Sequence, residues 1–206
     1  MRIGLDFDNT MICYDHVFYQ TARERSLIPS DVPATKHQIR DYLRRCGREA
    51  DWTTLQGLVY GARLMDAPPF PGVRAFLAQC RQRGIPVSVI SHKTPQPVLG
   101  PAHDLHQAAH EWLARQAFYD AETTGLSAEQ VYFEPTKQEK LARIRATGCT
   151  HFVDDLPEFL EESEFPTGVA RILFDPAGAH PAAGPFHRVT SWDAITAYVL
   201  GTGTPQ

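Results

Sequence analysis

The sequence predicts an α/β fold: a doubly wound, mostly parallel sheet with a small helical insertion after its first strand. Three observations lead there. Short apolar runs recur along the chain, and each is followed by a segment with helical spacing. At 206 residues the chain is long enough for one domain carrying a modest insertion. Between the first strand and Pro71 lies a stretch that reads as helices with Pro-containing joints, with no strand of its own.

The elements follow in order. Arg2 to Phe7 is the first strand, its apolar run ending in Asp6-Phe-Asp-Asn-Thr10. Pro71 and Gly72 open a helix whose apolar positions are Val73, Phe76, Leu77 and Cys80, ending near Gly84. Pro86-Val-Ser-Val-Ile90 is the next strand, and a helix spans the region from His103 to Phe118. Val131-Tyr-Phe133 is a strand, and the helix from Lys137 carries Leu141 and Ile144 before Gly148 stops it. His151-Phe-Val153 and Arg171-Ile-Leu-Phe174 are strands, and Ser191 caps a last helix with Trp192, Ile195 and Val199. The tail after Leu200, GTGTPQ, reads as frayed. The division is a core of residues 1–13 and 70–206, with 14–69 inserted.

Composition narrows the class. Apolar residues make up 43% and charged residues 21%, ordinary for a soluble globular chain. A net charge of -4 argues against nucleic acid or an anionic membrane as partner. No run approaches the roughly 18 apolar residues of a membrane helix, and the N-terminus has no signal-peptide pattern. Cys13, Cys46, Cys80 and Cys149 are widely spaced and form no CxxC, which reads as free thiols in a reducing cytoplasm.

The chemistry concentrates at strand ends. Residues i and i+2 of a strand share a face, so Asp6 and Asp8 point the same way. Like charges that close are costly to bury, so a cation or a reaction must make them tolerable. In a parallel sheet, ligands bind beyond the carboxyl ends of the strands. Those ends deliver Asp6 and Asp8, then Ser91 with His92, Lys93 and Thr94, then Asp154 and Asp155 with Glu158 a turn later. Lys137 stands at a helix start in EPTKQEKL.

With DFDNT, a strand ending in Ser91, Lys137 and the pair Asp154-Asp155 in that order, the sequence resembles the haloacid dehalogenase-like superfamily of phosphohydrolases. The resemblance covers the core and leaves the insertion unidentified. It implies Mg²⁺-dependent hydrolysis of a phosphomonoester through an aspartyl-phosphate. Asp6 would be the nucleophile and Asp8 the general acid and then base. Ser91, His92 and Lys137 would bind the phosphoryl group, with Lys140 an alternative to Lys137. Asp6 and Asp154, with the backbone carbonyl of Asp8, would hold the metal directly and Asp155 would act through water, a place that Glu158 could take instead. In this family dehalogenases lack an acid at the place of Asp8, so its presence points to a phosphatase.

The substrate expected is a small soluble phosphorylated metabolite, a sugar phosphate first and a nucleotide second. A phosphotransferase or mutase of the same fold and a non-catalytic binding protein are the rival classes. The insertion would act as a cap over the site, with Arg40, Arg44, Arg45, Trp52 and Gln56 as candidate substrate contacts. Arg48 joins the same basic cluster. Trp52, Tyr60 and Phe70 read as cap core, and Gly57 and Gly61 as positions of close helix packing. His103, His106 and His110 share one helical face and read as a solvated polar face rather than a zinc site.

Overall fold

The computed structural model describes residues 1–201. The tail expectation for 202–206 lies outside the described residues. Six strands form one sheet: β1 (Ile3–Leu5), β2 (Val87–His92), β3 (Val131–Glu134), β4 (His151–Asp154), β5 (Ala170–Phe174) and β6 (His187–Val189). Every pairing is parallel, in the order β3-β2-β1-β4-β5-β6. β6 was not legible in the sequence; it is a short edge strand, His187-Arg-Val189, without an apolar run.

The order reverses at β1, which pairs with β2 on one side and β4 on the other. At such a point the connections leave in opposite directions, and a crevice opens at the strand ends. Eight helices accompany the sheet among the described residues: α1 (Asp15–Glu24), α2 (Lys36–Arg45), α3 (Glu49–Tyr60), α4 (Val73–Gln82), α5 (Leu105–Arg115), α6 (Lys137–Ala146), α7 (Pro157–Leu160) and α8 (Trp192–Leu200).

Strand alternation distributes the core. Ile3 and Leu5 face the side covered by α4, α5 and α8. Ile90, Phe152 and Leu173 face the opposite side, against Leu141 and Ile144 of α6 and Phe159 and Leu160 of α7. Both faces are therefore buried, which suits strands with little polar alternation. Ser191 caps α8 as its sequence predicts, accepting a hydrogen bond from the Ala194 amide at 3.1 Å.

Helices α1 to α3 pack on one another between β1 and α4. Phe18 stacks on Trp52 with ring centroids 5.1 Å apart, and Tyr14 and Tyr60 meet edge to face at 5.0 Å. The two connections to the sheet run side by side, with the Cys13 amide donating to the Pro68 carbonyl and the Phe70 amide to that of Met11. Trp112 of α5 fixes the return by donating its indole N–H to the Ala67 carbonyl at 2.8 Å. Gly57 of α3 sits against the loop 97–99: a Cβ there would lie 2.5 Å from the Leu99 carbonyl oxygen. At Gly61 a Cβ would lie 2.9 Å from the His103 ring. These glycines thus admit the loop that leads into α5, rather than another helix of the insertion.

Candidate active site

Asp6 follows β1 directly, and its amide donates to the Val153 carbonyl at 2.8 Å, which locks it beside β4. After Asp8 the chain must turn off the sheet. Asn9 does this with a φ of 58°, a left-handed conformation that asparagine tolerates better than most residues. The Met11 amide then returns to the Phe7 carbonyl at 3.0 Å. The tight turn leaves the carboxylates of Asp6 and Asp8 both lining one crevice of about 460 Å³.

Two lysines neutralise these acids. Lys140 Nζ lies 2.7 Å from Asp6 Oδ1 and 2.6 Å from Asp154 Oδ2, with its side chain only 3% exposed. Ser91 Oγ donates to the same Asp6 oxygen at 2.8 Å. Lys93 Nζ bonds both Asp8 oxygens, at 2.9 and 2.8 Å, and the Tyr14 hydroxyl donates to Asp8 Oδ1 at 2.5 Å. Burial alone would raise the Asp8 carboxyl, but the charge and hydrogen bonds of Lys93 bring it below the ordinary carboxylate range.

The lysine in the crevice is Lys140, not the expected Lys137. Lys137 is 43% exposed and reaches Glu162 at 3.4 Å. Both residues lie on the stripe of Leu141 and Ile144, but three residues along a helix advance the side chain by about 4.5 Å. That rise brings Lys140 down to Asp6 and leaves Lys137 at the outer end.

Asp6, Asp154 and Asp155 are buried, each with a carboxylate oxygen within 4.8 Å of the others. One ammonium serves two of these carboxylates, so the cluster is short of positive charge. Burial and the nearby Asp6 push Asp154 up to about 7 despite Lys140, and Asp155 is raised well above its ordinary value by burial and by Asp154 and Asp6. Three buried hard oxygen donors with a deficit of positive charge fit a divalent cation. The Asp8 side chain is outside this group because Lys93 and Tyr14 hold it. Glu158 lines the crevice but is exposed and does not join the three.

Helices α2 and α3 wall the other side. Arg40, Arg44, Trp52 and Gln56 line the crevice; Arg45 does not, and is exposed. Trp52 is 2% exposed, so it is chiefly a packed wall against Phe18. His92 lines the crevice at an exposed position and pairs with the Pro135 carbonyl at 3.1 Å.

Sequence reasoning missed Lys36 and Tyr14, read Tyr60 only as cap core though it also lines the crevice, and gave Lys93 no definite place. The signal for Lys93 was present: in an extended segment Ser91 and Lys93 share a face, as Asp6 and Asp8 do. Lys36 precedes Arg40 and Arg44 by four and eight residues, one face of a helix. Of the three histidines expected on one solvated helical face, His103 lies before α5 and the other two are half-buried. His106 pairs with the Lys93 carbonyl at 2.8 Å, His110 with the Tyr119 hydroxyl at 2.6 Å, and both rings pack near Phe133.

No protein-family model matches the chain, and no curated protein matches it. Solved structures do. A HAD family hydrolase from Deinococcus radiodurans, with bound phosphate and sodium, is 14% identical with a TM-score of 0.60, covering 100% of this chain and 98% of that one. A HAD hydrolase from Bacillus subtilis bound to magnesium is 13% identical with a TM-score of 0.56, covering 98% and 99%. A dehalogenase is 15% identical with a TM-score of 0.56, covering 96% of each chain. The six-stranded parallel core with helices on both faces is the haloacid dehalogenase-like fold, and this chain has it. Among the described residues no helix is long and apolar enough to cross a membrane.

Proposed function

We propose that the protein is a Mg²⁺-dependent phosphomonoesterase acting on a small soluble phosphorylated metabolite through an aspartyl-phosphate. The observation that carries this reading is the pair of separately held carboxylates. Asp6 is oriented by Ser91 and Lys140, and Asp8 by Lys93 and Tyr14, in one crevice. A dehalogenase needs only the first, because a halide leaves without a proton. An alkoxide does not, and an acid beside it is then required.

The steps follow from these positions. An Asp6 oxygen attacks phosphorus, the ester P–O bond breaks, and the leaving oxygen takes a proton from Asp8. Water then attacks the phosphorus, Asp8 takes its proton, and the bond from phosphorus to Asp6 breaks. Ser91 and Lys140 provide hydrogen-bond donors beside the reacting group. Asp6, Asp154 and Asp155 would hold Mg²⁺, which when bound offsets charge on the phosphoryl oxygens. Lys93 holds the Asp8 carboxyl below its ordinary range, so Asp8 is ionised when substrate arrives; an ester bound as its monoanion hands its proton to Asp8, which passes it to the leaving oxygen.

A screen of phosphorylated metabolites with Mg²⁺, reading inorganic phosphate, tests the proposal. Release from at least one ester, abolished by EDTA, is expected. Halide release from a haloacid without any phosphate release would overturn it.

A further inference from the structure

The α2 face carries more positive charge than one phosphoryl group requires. Lys36, Arg40 and Arg44 all line the crevice, at four-residue steps that rise about 6 Å each. Their states differ. Arg44 is occupied: Glu49 takes two of its N–H groups at 2.8 and 3.0 Å. Arg40 gives only its Nε, to Asp41 at 2.9 Å, and its terminal N–H groups have no protein acceptor among the described residues. Lys36 makes no ion pair within 4.0 Å among the described residues. Its ammonium lies 5.7 Å from the Tyr60 ring centroid, and the Lys93 ammonium, bound to Asp8, lies 5.0 Å from the same centroid. Lys36 therefore stands at the chemical end of the crevice and Arg40 one helical turn further out.

We infer that the substrate carries a second anionic group, a carboxylate or a further phosphate, about 6 Å from the phosphoryl group that is removed. Arg40 receives that group with its free guanidinium edge, while Lys36 meets the phosphoryl end. A planar guanidinium edge presents two parallel donors, the geometry that carboxylate and phosphate accept. Tyr60, beside Lys36, with Pro97 and Leu105 of the same lining, offers apolar surface for the carbon frame between the two charges. This inference rests on the phosphatase reading and narrows its substrate class.

Matched pairs test it: 6-phosphogluconate against glucose 6-phosphate for a carboxylate, and fructose 1,6-bisphosphate against fructose 6-phosphate for a phosphate. The doubly anionic member of at least one pair is expected to have a kcat/KM about tenfold higher or more, the scale of a charge-assisted hydrogen-bonded contact. Arg40→Gln is expected to bring that ratio to within about threefold, whatever it does to each rate. A wild-type ratio near one in both pairs, or a ratio that Arg40→Gln leaves intact, overturns the inference.

If none of these esters nor p-nitrophenyl phosphate is hydrolysed, the phosphatase reading fails by itself. Calorimetric titration of the wild-type protein with 4-phosphonobutyrate and with butylphosphonate then still decides the second-anion site. Tighter binding of the former supports it, and equal affinity overturns it.

Discussion

The floor of the crevice and its helical wall hold their charges in opposite ways. On the floor, Lys140 is 3% exposed and its partners Asp6 and Asp154 are 6% and 0% exposed. On the wall, Arg44 and Glu49 are about half exposed, and Arg40 shares a solvated edge with Asp41. A buried pair cannot exchange partners without leaving an uncompensated charge, whereas a solvated pair can exchange them with water or ligand at little cost. The floor is thus suited to fixed geometry at the reacting atoms, and the wall to reading whatever anion arrives.

The comparison breaks first at Asp6. Asp6→Asn keeps the shape but removes the proposed nucleophile, so turnover is expected to fall by at least roughly a thousandfold with the fold retained. Rates and a thermal melt of the purified variant check it, and full activity would end the mechanism. Lys140→Met comes next: it strands two buried carboxylates and is expected to cost about 3–5 kcal/mol in urea unfolding of the metal-free protein.

Metal loading sharpens the contrast. Asp154 sits near 7 in the folded protein against an ordinary value of 3.8, so the metal-free fold holds more protons than the unfolded chain between those values. Its contribution to stability is therefore lost as pH rises toward and through about 7, where the ionised carboxylates become available to a cation such as the proposed Mg²⁺. Thermal midpoints with and without Mg²⁺ should differ more at pH 8 than at pH 5. Asp154→Ala should shrink that gap more than Asp155→Ala, and the reverse order would exchange their assignments.

Lys93→Met has a subtler expected effect. Without that ammonium the Asp8 carboxyl rises, so if Asp8 is the proposed acid, the limb that depends on its protonated form should extend to higher pH. A pH–rate profile displaced to alkaline values is expected, and an unmoved one removes Lys93 as the group setting Asp8. The smallest effect belongs to Lys137→Ala, which touches a half-exposed pair and should change stability by no more than about 0.5 kcal/mol.

Legibility in the sequence follows the same division. The strand ends were readable because β periodicity and parallel topology send Asp6, Asp8, Ser91, Asp154 and Asp155 to one edge of the sheet. Lys140 was not separable from Lys137, since both lie on one stripe and only the rise of α6 over the sheet decides between them. Tyr14 was hidden for another reason: it reaches Asp8 only through the packing of α1, α2 and α3, which no local pattern encodes, whereas Lys36 could have been read from its helical spacing to Arg40 and Arg44. β6 was missed because an edge strand with two polar residues carries no buried run.

The paired connections at Cys13–Pro68 and Met11–Phe70 have a consequence for how such a chain can diversify. The backbone leaves the sheet and returns to it at adjoining points. For the folding of the sheet, the route from β1 to α4 is then a short loop, however much chain is strung between its pinned ends. Lengthening a loop is cheap, about 0.6 kcal/mol for each doubling even when its ends are free to separate. Helices between those two points can be lengthened, trimmed or exchanged by recombination with little entropic penalty to the sheet. Descendants of one crevice floor can in this way acquire different walls.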